Sequence, residues 1–181
     1  MLEPQNIHKL KSLQGHLAYV HRFISSLTRR CRPFNQLMKK DVPFEWDKAC
    51  KNAFKIIKEN LTKPPMLKAF VPSQPLIIYV ATQERSYGSL LAQKHDEKKE
   101  KALYYLSWTL IGVEINYSPI KKLCLALFFS IKKLRHYVYF YLAHLISKAD
   151  PIKYIMSRPL LSRRLEKWSL LQQEFEIIYI T

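Results

Sequence analysis

Pro64, Pro65, Pro72 and Pro75 crowd one short stretch, and the apolar pattern before it differs in kind from the pattern after it. Proline has no amide hydrogen to give a helix or a ladder, and its ring clashes with the preceding turn, so no regular element runs through such a cluster. The stretch therefore predicts a boundary, with a small helical segment over 1–72 and a second domain over 73–181. On the first side, Leu10, Leu13, Leu17, Val20 and Ile24 recur at alternating three- and four-residue steps, which predicts a helix over 7–24 with one buried face. It should stop near Thr28, Arg29 and Arg30, followed by a turn over 33–37 and a loop over 41–46. Asp47 is placed to cap a second helix whose buried face carries Cys50, Phe54, Ile57 and Leu61.

Beyond the prolines, short runs rich in branched and aromatic residues over 76–81, 88–93 and 102–107 read as three strands, with a polar turn over 95–101. Ser118-Pro119 opens a helix whose face is Ile120, Leu123, Leu127, Ile131 and Leu134. A fourth strand over 138–146, a short helix over 150–156, another over 162–173 and a last strand over 175–180 complete an α/β layout, a mixed sheet covered by helices.

Hydrophobic residues make up 48% of the chain and aromatics 13%, enough apolar surface to offset the entropy lost on folding. Lys and Arg number 30 against 14 acids, a formal charge of +16, and the excess lies on both sides of the boundary rather than in a tail. That balance points to a polyanionic partner, nucleic acid ahead of a membrane surface. Cys31, Cys50 and Cys124 form no C-x-x-C pair, so they read as buried structural thiols in a reducing, intracellular setting, cytoplasm or nucleus. No apolar run reaches the roughly 20 residues that span a bilayer, and no signal-peptide core is present, so a soluble chain is expected. With three glycines there is no Gly-rich phosphate loop.

Five blocks, in order, resemble the Pol polyprotein of gypsy-type LTR retrotransposons, plant versions in particular. Residues 7–24 (IHKLKSLQGHLAYVHRFI) are similar to the helix that follows the polymerase palm, and residues 39–61 (KKDVPFEWDKACKNAFKIIKENL) to the family's block with F-x-W and a later A-F. Residues 74–93 (QPLIIYVATQERSYGSLLAQ) resemble the first hairpin of its RNase H domain, 117–137 (YSPIKKLCLALFFSIKKLRHY) its long helix, and 162–179 its following helix and strand. The resemblance implies a reverse-transcriptase thumb/connection segment joined to a C-terminally truncated RNase H-like domain. In the family this means RNA-directed DNA synthesis and hydrolysis of the RNA strand of an RNA/DNA hybrid. The rest of a Pol polyprotein is an implied partner, and a membrane is not.

Such RNase H centres use two Mg²⁺ or Mn²⁺ ions, hard cations that need several converging carboxylates. Position by position, the first-strand aspartate of the family falls on Ala81, the helix glutamate on Leu123 and a neighbouring glutamate on Lys121. Only Asp150 keeps an acid, and it also stands where it would cap the short helix after it. The palm's Y-x-D-D motif is absent. The resemblance thus implies a catalytically inactive chain that holds no metal or other cofactor but retains sequence-independent affinity for RNA/DNA hybrid or duplex. The candidates for phosphate contact are Arg29, Arg30 and Arg32, then Lys132, Lys133 and Arg135 with His136 beside them, then Arg163, Arg164 and Lys167. Trp46, Trp108 and Trp168 are expected as core anchors. Two alternatives remain: an active hybrid ribonuclease with Glu84 and Glu114 as relocated carboxylates, and a non-catalytic interaction scaffold.

Overall fold

A computed structural model describes residues 2–62, 67–72, 74–94, 99–157 and 173–180. The chain divides into two compact units, Met1–Met66 and Leu67–Thr181. The division falls ahead of the boundary expected at 72/73, because residues 67–72 are tied to the second unit: Lys68 N–H donates to Ala102 O at 3.1 Å, and Phe70 packs on the second core.

In the first unit, helix α1 (Ile7–Val20) starts at Asn6, whose Oδ1 accepts the Lys9 amide at 2.9 Å. The helix buries Leu10, Leu13 and Leu17. It gives way to a 3-10 turn (His21–Phe23), and Ser26, in the left-handed region at φ 51°, redirects the chain into α2 (Leu27–Arg30). The stretch expected as a turn over 33–37 is instead a helix, α3 (Arg32–Leu37), with Pro33 in its first turn, where the missing amide costs nothing. Asp47 caps α4 (Lys48–Thr62) as expected, its Oδ1 accepting the Cys50 amide at 2.7 Å, and that bond holds the carboxyl below the usual range. Phe34, wholly buried, anchors this unit, with the Trp46 ring stacked on it at 5.3 Å and Phe54 edge-on to Trp46 at 6.1 Å.

The second unit is a five-stranded mixed sheet in the order β3-β2-β1-β4-β5. Strands β1 (Leu76–Thr82), β2 (Ser86–Lys94) and β3 (Glu100–Thr109) pair antiparallel, while β4 (Ala143–Ser147) runs parallel to β1 and β5 (Ile177–Tyr179) parallel to β4. Leu76, Ile78 and Val80 alternate onto one face of the sheet and share its core with Leu123, Leu127 and Ile131 of α5 (Pro119–Val138). Ser118 stands at the cap position of α5, but its side chain makes no capping bond; its carbonyl accepts the Lys122 amide at 3.0 Å. The fourth strand is shorter than expected: Val138, 1% exposed, continues the buried face of α5 and is its last residue. A 3-10 segment (Gly112–Asn116) precedes α5, and α6 (Pro151–Met156) follows β4. The helix expected over 162–173, with Arg163, Arg164, Lys167 and Trp168, lies outside the described residues but for its last position.

Gln93, fully buried, ties the incoming chain to the sheet. Its carboxamide oxygen accepts Val71 N–H at 2.9 Å, and its nitrogen donates to Val71 O at 2.9 Å and Gln74 O at 2.8 Å. Leucine at this position would take the side-chain partner from Val71 N–H and Gln74 O, while Val71 O keeps the Gln74 amide at 3.3 Å, a loss of about 1–3 kcal/mol. Gln93→Leu should accordingly lower the urea midpoint of unfolding; an unchanged midpoint would show that the strap contributes nothing.

All three cysteines are buried free thiols, as expected. Burial pushes Cys31 and Cys124 up to about 12, so both stay protonated at neutral pH and are poor nucleophiles.

Candidate nucleic-acid and metal site

The positions where the family pattern puts metal ligands come from three elements that meet at one end of the sheet. Val80 of β1 pairs with Ser147 of β4, so Ala81 lies beside the turn that leads to Asp150. Lys122, near the start of α5, donates from Nζ to Glu84 O in the β1–β2 turn at 2.8 Å. The Cys124 thiol lies 3.6 Å from Pro151 O, and the Asp150 charge reaches that thiol. Positions 81, 123 and 150 are thus gathered around the ends of β1, β4 and α5.

The side chains there are poor material for a cation site. Ala81 is exposed and offers a methyl group. Leu123 is 5% exposed and belongs to the apolar core. Asp150 Oδ1 accepts the amides of Ile152 at 2.9 Å and Lys153 at 3.0 Å, which makes it the N-cap of α6. Glu114 Oε2 accepts the Ile111 amide at 3.0 Å, closing the cap of its own 3-10 segment, and Glu84 contributes its backbone carbonyl to Lys122. Lys121, where the resemblance implies a second glutamate, is exposed and offers no carboxylate. Among the described residues no group of three His, Cys, Asp or Glu is arranged to hold a metal ion. A pair of divalent ions needs several anionic oxygens to replace the water it sheds, and these residues do not fit that group.

The N-cap role of Asp150 has a separate test. Asn and Ser cap as well as Asp, so Asp150→Asn should leave stability nearly unchanged while Asp150→Ala costs about 1 kcal/mol. If both substitutions cost the same in a thermal melt, the carboxylate is held for some reason other than capping.

The expected phosphate contacts lie in both units. Arg29 and Arg30 end α2 and Arg32 opens α3. Arg29 and Arg32 are exposed, whereas Arg30 is half-buried, with Nη2 on Ser25 Oγ at 3.3 Å and a buried Nε that has no hydrogen-bond partner among the described residues. Lys132, Lys133 and Arg135 are exposed on the last turns of α5. Trp46 is the anchor expected, but Trp108 is not: it is 50% exposed on the edge strand β3 and stacks on Phe129 at 6.5 Å.

A family model described as an RNase H-like domain found in reverse transcriptase matches residues 46–145, more than half of the chain. The chain belongs to this family. The Transposon Tf2-3 and Tf2-4 polyproteins of Schizosaccharomyces pombe are each 31% identical to it over 184 residues, covering 96% of the chain. The chain spans 13% of the length of those relatives. The family's fold recurs in the foamy viral protease-reverse transcriptase in complex with dsDNA, with a TM-score of 0.81 and 16% identity over 99% of this chain and 39% of that one. The same enzyme in complex with an RNA/DNA hybrid gives a TM-score of 0.74, again at 16% identity, over 98% of this chain and 25% of that one. This RNase H-like chain is therefore a region of the LTR-retrotransposon Pol type, as the five sequence blocks implied. No helix among the described residues is long and apolar enough to cross a membrane.

Proposed function

We propose that this RNase H-like chain is a gypsy-type, plant-like retrotransposon fragment that does not hydrolyse RNA and instead holds an RNA/DNA hybrid or duplex through its phosphate backbone, inside the cell. The observation that carries the inactive half is the gathering of Ala81, Leu123 and Asp150 at one end of the sheet, with a single carboxylate among them that caps a helix. Hydrolysis by the family's route needs two cations, and a lone acid does not replace enough of their water.

The binding half is supported by the charge of +16 and by the exposed Arg29, Arg32, Lys132, Lys133 and Arg135. Such side chains neutralise phosphates and release condensed counterions, so affinity should fall steeply with salt and depend little on base sequence. Fluorescence anisotropy of labelled RNA/DNA hybrids with unrelated sequences, measured across a salt series, tests this reading. A linear fall of log K with log salt, alike for all sequences, is expected; no binding at low salt would favour the scaffold reading instead.

A further inference from the structure

Arg30 is a cation only half matched by its surroundings. It is half-buried at the end of α2, where its Nη2 donates to Ser25 Oγ at 3.3 Å. Its Nε is buried and has no hydrogen-bond partner among the described residues. The sequence holds no acid between Glu3 and Asp41, so no carboxylate comes from the local chain. Nε and Nη2 lie along one edge of the planar guanidinium, and such an edge matches two oxygens of an anion side by side. At Arg30 that edge meets a single neutral hydroxyl. The contact is longer than the usual N–H···O range, whereas charge-assisted pairs close to about 2.8 Å.

The corner that holds this pair suits a modifying enzyme. Ser25 is half-buried and stands between the 3-10 turn and the left-handed Ser26. Arg22 lies three residues ahead of it and Arg29 four residues after it, a cationic flank of the kind that basic-directed protein kinases read. The 3-10 turn has three residues and α2 has four, so few backbone bonds need open for the segment to enter a kinase cleft.

We infer that Ser25 is a phosphorylation site and that Arg30 receives its phosphoryl group. Ser25 Oγ attacks the γ-phosphorus of a nucleoside triphosphate bound by the kinase. The Oγ–P bond forms, the bond to the departing nucleoside diphosphate breaks, and the serine proton passes to the kinase's base. The product carries nearly two negative charges at neutral pH. Its oxygens sit one bond beyond the atom that Arg30 already faces, so one accepts from Nε and another from Nη2. The buried Nε thereby gains its acceptor, and the corner is drawn closed. The covalent tie favours this phosphoryl group over free anions by holding it at high effective concentration.

The test uses the full chain with phosphoserine installed at position 25, beside the unmodified chain. A guanidinium that prefers the dianion holds the second phosphate pKa below its usual value of about 6, and phosphorus NMR should show it lowered by about one unit. The first unit, followed by Trp46 fluorescence, should melt about 4 °C higher than in the unmodified chain. Both gains should vanish in Arg30→Gln, with the unphosphorylated Arg30→Gln chain as its reference. The titration of the phosphorylated parent decides the matter even if that variant folds poorly. Treated with calcium/calmodulin-dependent protein kinase and ATP, the parent should take up a phosphoryl group located at Ser25 by mass spectrometry, and Ser25→Ala should lack it. An unshifted phosphate pKa, or gains that persist in Arg30→Gln, would overturn Arg30 as the receptor. No uptake at Ser25 would overturn the modification site. Equal stabilisation of the unmodified chain by inorganic phosphate would make the edge a free-anion site and overturn the inference as well.

Discussion

Leu123→Glu, which puts a carboxylate where the resemblance implies one, should destabilise the second unit by about 3 kcal/mol or more. The side chain is 5% exposed in the core that α5 shares with the sheet, so the new carboxylate would lose its water without gaining a partner. Burial would raise its pKa in the folded state above the unfolded value of about 4.3. The unfolded chain then releases its proton first as pH rises, so the penalty should be smallest below about pH 4 and grow above it. Leu123→Met, which nearly conserves volume, should cost less than about 1.5 kcal/mol. Urea unfolding of both variants at several pH values checks this. A neutral Leu123→Glu would mean that position 123 faces solvent rather than the core.

Phe34→Ala should cost about 3–5 kcal/mol and melt the first unit at a much lower temperature. Phe34 is fully buried, and its loss would leave a cavity under the Trp46 ring that stacks on it at 5.3 Å. Tryptophan fluorescence during heating reads the change from Trp46. Phe34→Leu fills more of the space and should fall between parent and Ala; equal melting of all three would show that Phe34 does not anchor this core.

What could be read from sequence follows the range of each physical signal. The periodicity of Leu10, Leu13 and Leu17, and the Asp47 cap, are local, and both appear in the structure as expected. The stretch over 33–37 reads as a turn, yet Pro33 occupies the first turn of α3, where proline is welcome; only the neighbouring chain decides between the two. Val138 has strand-like character, but it also follows Leu134 at helical spacing, and its burial as the last residue of α5 prevails over propensity. The meeting of positions 81, 123 and 150 has no local signature at all. Family resemblance named the residues, and the parallel pairing of β1 with β4 and the approach of Cys124 to Pro151 bring them together.

Inactivity is tested most directly by incubating the purified chain with an RNA/DNA hybrid labelled on the RNA strand, in Mn²⁺, and following cleavage. Hybrid binding without product above background is expected, unaltered in Asp150→Ala. Mn²⁺-dependent cleavage that disappears in Asp150→Ala would contradict the proposed inactivity.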